Sequence, residues 1–160
     1  MPPQPTSARA GEPSGPEVHL ARLSDLDPLT LYALLRLRVD VFVVEQECAY
    51  PELDGVDTEP TTTHLWIEAD GVPVATVRTL VDGDGVHHLG RVATHPEHRG
   101  RGYAATLVRA GLDRIGPHEV QIGAQAYLER WYERLGFRRA GEDYLEDGIP
   151  HLPMVRPGAG

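Results

Sequence analysis

The sequence predicts an α/β sandwich, a mixed sheet of about seven strands with flanking helices, in the order β-α-β-β-β-α-β-α-β-β. Three observations lead there. Strand-like segments between His64 and Thr94 are punctuated by short turns, which reads as a meander. Tyr103 to Ile115 carries Ala104, Leu107, Val108, Gly111, Leu112 and Ile115 on one helical face. Asp27-Pro28 is a helix start, with an N-cap acid followed by proline at the first helical position.

The elements follow in order. Residues 1–16 hold five prolines, two glycines and hardly any apolar side chains, and are expected to form a disordered tail. Val18 to Leu23 reads as the first strand. From Asp27 a helix continues with Leu31, Leu34, Leu35, Val39 and Phe42 at helical spacing. Cys48 to Thr63 is irregular, with Pro51, Gly55 and Pro60. The meander comprises His64–Ala69, Val72–Val81 and Val86–Thr94, with Asp70-Gly71 as a two-residue hairpin turn. After the Tyr103–Ile115 helix come a strand over Glu119–Ala124 and a helix over Ala126–Leu135, which places Leu128, Trp131, Tyr132 and Leu135 on one face before Gly136 as cap. Two short strands, near Arg138–Leu145 and Pro150–Val155, complete one domain over residues 17–156. Residues 157–160 read as a second disordered tail.

Composition excludes several classes. A chain of 160 residues can bury one real core. The apolar run from Leu29 to Val44 is broken by Arg36, Arg38 and Asp40, so no membrane span is expected, and no secretory h-region is seen. The lone Cys48 has no disulfide partner in the chain, which suits a reducing, cytoplasmic setting. A net charge of -9 argues against nucleic acid. All 15 cationic residues are arginine, which removes lysine Schiff-base chemistry and a lysine-dependent phosphate loop. Charge is unevenly spread: Asp40 to Pro60 has seven acids and no arginine, whereas His87 to Ile115 has five arginines against Glu97 and Asp113. The first stretch suits a cation and the second an anion, if they are more than solvated faces.

The most informative segment is Val92 to Val108, VATHPEHRGRGYAATLV. A strand runs into a loop that opens a helix through Arg99, Gly100, Arg101, Gly102, Tyr103 and Ala104. Glycines let backbone N–H groups approach a phosphate, and the helix start adds free donors and a positive dipole end. The alternative is a glycine-rich turn that merely begins a helix. Arg99-x-x-Gly102-x-Ala104 resembles the Arg/Gln-x-x-Gly-x-Gly/Ala signature of the GNAT superfamily of acetyltransferases. Pro96, the Gln125–Tyr132 spacing and WYERLGF resemble further parts of the family pattern, and VFVVEQECAY resembles its ElaA-like branch. Gln125 stands where many members have asparagine.

The resemblance covers about Leu31 to Pro153 and implies a GNAT-type fold with acetyl-CoA as co-substrate and no metal. It implies that Val92, Ala93 and Thr94 pair with the pantetheine arm and that Arg99, Gly100, Arg101, Gly102, Tyr103, Ala104 and Ala105 hold the pyrophosphate. Gln125 joins the cofactor-binding set. The strand at Glu119–Ala124 should diverge from that at Val86–Thr94, with the thioester in the gap. The implied reaction is direct acetyl transfer to a primary amine of an unidentified small-molecule or peptide acceptor, and the acidic stretch from Asp40 to Glu59 suits a cationic one.

Such a transfer needs a neutral amine, yet only about one alkyl amine in 10³ is neutral near pH 7. It also needs a base, an oxyanion donor and an acid for the leaving thiolate. Backbone N–H on Val92–Thr94 suits the oxyanion. Tyr132 matches the family's acid position; its alternative is a core aromatic. Glu45 and Asp54 in the acidic stretch, and His64, are the candidates for the base. A non-catalytic acetyl-CoA-binding module is the second functional reading. Gly100-x-Gly102-x-x-Ala105 also satisfies a dinucleotide fingerprint formally, but the loop is too long and the chain lacks a second βαβ half. His87, His88, His95 and His98 form no fixed metal pattern. Oligomeric state is open, a homodimer included.

Overall fold

The computed structural model describes residues 15–159. Strands β1 (His19–Ala21), β2 (Thr63–Ala69), β3 (Val72–Val81), β4 (His87–Thr94), β5 (Val120–Gln125), β6 (Arg138–Arg139), β7 (Tyr144–Glu146) and β8 (Ile149–Arg156) form one sheet. Its order is β1-β2-β3-β4-β5-β8-β6, with β7 also on β8. Every pairing is antiparallel except β4 with β5. The helices are α1 (Pro28–Val39), α2 (Tyr103–Ile115) and α3 (Glu129–Glu133). The mixed α/β class and the order of elements are as expected, with eight strands in place of seven.

The extra strand has a local cause. The segment expected as one strand near 138–145 divides into β6 and β7. Pro153 stands opposite the break, where it accepts from Ala140 N–H but has no N–H to return, so the ladder with β8 stops. The helix expected over 126–135 is also shorter: a 3₁₀ turn at Ala126–Leu128 precedes α3.

Local chemistry explains the well-formed elements. The Asp27 carboxylate accepts from the N–H groups of Leu29 and Thr30 and so caps α1. Asp70 and Gly71 both take positive φ, as a tight hairpin turn requires. In α2, Leu107, Val108, Gly111 and Leu112 are buried against the sheet. They join Leu65, Ile67, Val77, Leu89, Val120, Ile122, Leu152 and Met154 in the main core.

One sequence expectation shifts. The buried stripe of α1 runs through Leu34, Leu37 and Arg38 and on to Val41, so it includes an arginine. Near the C-terminal end, Ala159 N–H donates to Pro117 O at 2.9 Å, which sets this residue beside the α2–β5 turn. Residues 1–14 of the expected N-terminal tail, and Gly160, fall outside the described residues. No helix among the described residues is long and apolar enough to cross a membrane.

Candidate active site

Strands β4 and β5 pair only at His87↔Val120 and His88↔Gln121. Beyond that point they separate, and the β5-facing edge of β4 is left without a partner strand. One extra residue in β4 shifts its register with β3, so that Arg91 and Val92 stand opposite Val77. Arg91 has φ of 50° there, a left-handed conformation typical of a β-bulge. Bulge and splay together open a cleft of about 700 Å³ through the sheet.

One end of the cleft is built from backbone. Gly100 and Gly102 have φ of 79° and 77°, and a Cβ on either would meet open space. The second glycine caps α2, whose first turn leaves amide donors free. Gly100, Gly102, Tyr103, Ala104 and Ala105 all line the cleft. His98 Nδ1, buried and without a partner among the described residues, lies on the same wall. Arg99 Nε donates to Thr94 O at 3.0 Å, which ties the loop to the end of β4. Its Nη atoms donate to both oxygens of Glu45, at 2.5 and 2.6 Å. The guanidinium hydrogen bonds hold the Glu45 carboxyl below the usual carboxylate range, which weakens it as a base.

Further lining comes from α3 and from the segment after α1. A π-helical turn, Asp40–Glu45, continues α1 and brings Phe42, Glu45 and Gln46 to the cleft. Tyr132 is 6 % exposed, lies edge-on to Trp131 and Phe137, and lines the cleft. Burial raises its phenol above the ordinary value, with a smaller contribution from Tyr127, so it stays protonated across the neutral range. Gln125 Nε2 donates to Gln46 Oε1 at 3.3 Å and links β5 to the π-helical turn.

Beside these residues the cleft is lined by Cys48, Tyr50, Arg91, Glu146, Asp147 and His151. Cys48 is buried and its Sγ donates to Asp147 O at 3.4 Å. Tyr50 donates to Glu52 at 2.6 Å, and Arg91 Nε lies 2.9 Å from the same carboxylate.

The acidic stretch is largely committed inside the protein. Arg38, 1 % exposed, donates to Glu52 at 2.7 Å and to both oxygens of Asp57 at 2.7 and 3.1 Å. Arg78 pairs with Asp54 and Asp57, and Arg91 reaches Asp54. Burial alone would raise Asp57, but the arginine hydrogen bonds hold it below the usual carboxylate range. Arg38 and Arg78 flank the stretch in sequence, so the cation it suits is internal. Asp54 is therefore an ion-pair partner and does not line the cleft. His64 is buried 3.8 Å from Asp57, and it too is absent from the cleft wall.

Among the residues expected from sequence, the cleft brings together Val92, Ala93, Thr94, Arg99, Gly100, Gly102, Tyr103, Ala104, Ala105, Gln125, Tyr132 and Glu45. Arg101 is exposed and lies off the wall. Sequence reasoning missed Arg91, although Gly90 inside a strand pattern signals a bulge. It also missed Glu146 and His151, which no motif marks.

A family model described as an acetyltransferase (GNAT) domain matches residues 36–156. The chain belongs to the GNAT acetyltransferase family. This GNAT domain is 48 % identical to UPF0039 protein Rv2851c of Mycobacterium tuberculosis, over 85 % of this chain and 90 % of that protein. It is 38 % identical to protein ElaA of Escherichia coli, over 83 % of this chain and 91 % of ElaA. A crystal structure of an acyl-CoA N-acyltransferase from Pseudomonas aeruginosa superposes with a TM-score of 0.83 at 40 % identity, covering 89 % of this chain and 99 % of that one. The GNAT membership and the ElaA-like relationship expected from the motifs are both found.

Proposed function

We propose that the protein is an acetyl-CoA-dependent N-acetyltransferase that acts on a primary amine by direct transfer. The observation that carries this is the joining of three features in one cleft: the glycine cradle, the parted β4 and β5, and the buried phenol of Tyr132.

The residues present fit the co-substrate. Two positive-φ glycines with open space above them leave room for phosphate oxygens against the α2 amides. The unpartnered His98 Nδ1 offers a further contact to a ligand. Gly100, Gly102, Tyr103, Ala104 and Ala105 would hold the pyrophosphate, with Arg99 as the adjoining charge. Val92, Ala93 and Thr94 would present the open edge of β4 to the pantetheine arm, with Gln125 on the facing strand. Acetyl-CoA supplies the acetyl group as a thioester.

The chain's own groups then have distinct tasks. Backbone N–H at the β4 bulge stabilises the oxyanion. Tyr132 holds the proton that the departing thiolate takes. Glu45, expected beforehand as a catalytic carboxylate, is assigned here to holding Arg99. The anionic charge offered to a cationic acceptor moves from the 40–60 stretch to Glu146 and Asp147 on the cleft wall.

The test is calorimetry with CoA followed by thiol release from acetyl-CoA against a panel of primary amines. Binding with amine-dependent thiol release is expected. Binding without release from any amine would point to the non-catalytic module, and no binding would overturn the reading.

A further inference from the structure

The transfer needs a base, and the cleft holds an imidazole that the sequence did not mark. His151, the third residue of β8, stands opposite Gln125 of β5, at the end where β4 and β5 have parted. The residue is 8 % exposed and lines the cleft. Its Nδ1 lies 2.7 Å from Ile149 O. A carbonyl oxygen can only accept, so Nδ1 carries the hydrogen, and in the neutral ring the lone pair is on Nε2.

That nitrogen lies 3.4 Å from Glu146 Oε2. Two acceptors thus sit side by side with no donor of the protein between them among the described residues. Such a pair is bridged by a donor from outside the protein's own set: water, a second proton on the ring, or an ammonium group, of which the ammonium answers both the lone pair and the carboxylate charge. Tyr144 of β7 stacks on the imidazole at 5.8 Å and limits its rotation. Glu146 and Tyr144 from β7 lie against the ring, and Asp147, Cys48, Tyr50 and Arg91 line the same cleft.

Resting on the acetyltransferase reading above, we propose that His151 Nε2 is the general base of the transfer and that Glu146 holds the acceptor's ammonium beside it. One ammonium proton passes to Nε2 and on to water, which frees the nitrogen lone pair. The C–N bond forms at the thioester carbonyl, and the C–S bond breaks with its electron pair on sulfur. Tyr132 protonates the sulfur. The second nitrogen proton, shed as the amide forms, restores the phenol through solvent.

The test has two arms on the full chain. Nitrogen-15 NMR of the histidine ring, without any acceptor, should show hydrogen on Nδ1 when the ring carries a single proton. Hydrogen on Nε2 overturns the inference whatever the fate of the acetyltransferase reading. For kinetics, the probes are 1,4-diaminobutane and spermidine with acetyl-CoA, both dications or higher at neutral pH. His151→Asn keeps a side-chain N–H for Ile149 O but has no titratable nitrogen. It should lower kcat/KM by roughly 10²- to 10⁴-fold and remove the acid-side limb of the pH profile. Added imidazole should restore part of the rate to His151→Ala, and Glu146→Gln should raise KM for the diamine more than it lowers kcat. CoA binding by both His151 variants, measured by calorimetry, should match the wild type. A His151→Asn enzyme that keeps the rate and the acid limb overturns the base. Loss of CoA binding by the wild type itself would instead strike the acetyltransferase reading.

Discussion

Arg99 and Glu45, 54 residues apart in sequence, close into a two-point ion pair at the mouth of the cleft. The arginine placed to meet a phosphate is therefore already engaged by a carboxylate. An incoming pyrophosphate has to compete with Glu45 or share the guanidinium with it.

That competition has a measurable sign. Arg99→Gln should raise the CoA dissociation constant by about ten- to a hundredfold, since a charge-assisted hydrogen bond contributes roughly 1.5–3 kcal/mol. Glu45→Gln should tighten CoA binding by up to about fivefold, the scale of an exposed ion pair. Calorimetry on both variants decides it. A Glu45→Gln protein that binds CoA more weakly would mean that the carboxylate organises the loop instead of competing with the ligand.

Within the protein itself, Gly102 is required by conformation and not by space. A Cβ there would touch nothing, yet φ of 77° is the left-handed region that an L side chain enters at a cost of roughly 1–2 kcal/mol. Gly102→Ala should thus lose about 1 kcal/mol of stability in urea unfolding and bind CoA more weakly. An unchanged urea midpoint together with unchanged affinity would show that the loop relaxes freely and that the glycine is dispensable.

Much of this was legible in the sequence because it rests on local chemistry. The limits of α2, the β2–β3 turn and the cap at Asp27 follow from side-chain period and turn residues alone. The phosphate loop was legible for the same reason: glycines, arginines and a helix start lie within eight consecutive residues. What escaped depends on distant partners. Nothing near Arg38 predicts its burial, which requires Glu52 and Asp57 to arrive from an irregular segment. Nor does the sequence around His151 say that Ile149 O will fix its tautomer or that Glu146 will stand beside it. The π-helical turn was likewise hidden, since Phe42 keeps the spacing of an ordinary helix.

The buried network should make the protein sensitive to mild acid through His64. Burial lowers its imidazole below the ordinary value, more than the Asp57 charge raises it. Below roughly pH 6.5 the unfolded chain takes up a proton at this position, whereas the folded chain does so only at lower pH. The unfolded state then binds more protons, so stability falls as pH drops from about 7 towards 5. Asp57, whose folded value is depressed, adds to the loss only at lower pH. His64→Gln removes the proton uptake and should flatten that part of the urea-midpoint profile, whatever it does to absolute stability. A variant with the wild-type slope between pH 7 and 5 would assign the sensitivity to other histidines.

Tyr132 offers the sharpest test of the chemistry. Its ring packs edge-on against Trp131 at 4.8 Å and Phe137 at 5.8 Å, so a purely structural role would be met equally well by phenylalanine. Its hydroxyl is what a structural role does not need. Burial keeps the phenol protonated well beyond neutral pH, so it can give a proton but does not ionise in the resting protein. A thiol with a pKa near about 8.5 leaves as a thiolate, and a placed donor that protonates it is worth roughly 10²- to 10⁴-fold. Tyr132→Phe should therefore lower kcat by about that factor, while the urea midpoint and the acetyl-CoA dissociation constant stay near wild type, because the proton is needed in the transition state and not in binding. Tyr132→Ala should damage stability as well, by about 3–5 kcal/mol for a large buried aromatic. If Tyr132→Phe keeps kcat within about threefold of the wild type, far short of what a lost general acid costs, the proton comes from water or another group, and Tyr132 belongs to the core alone.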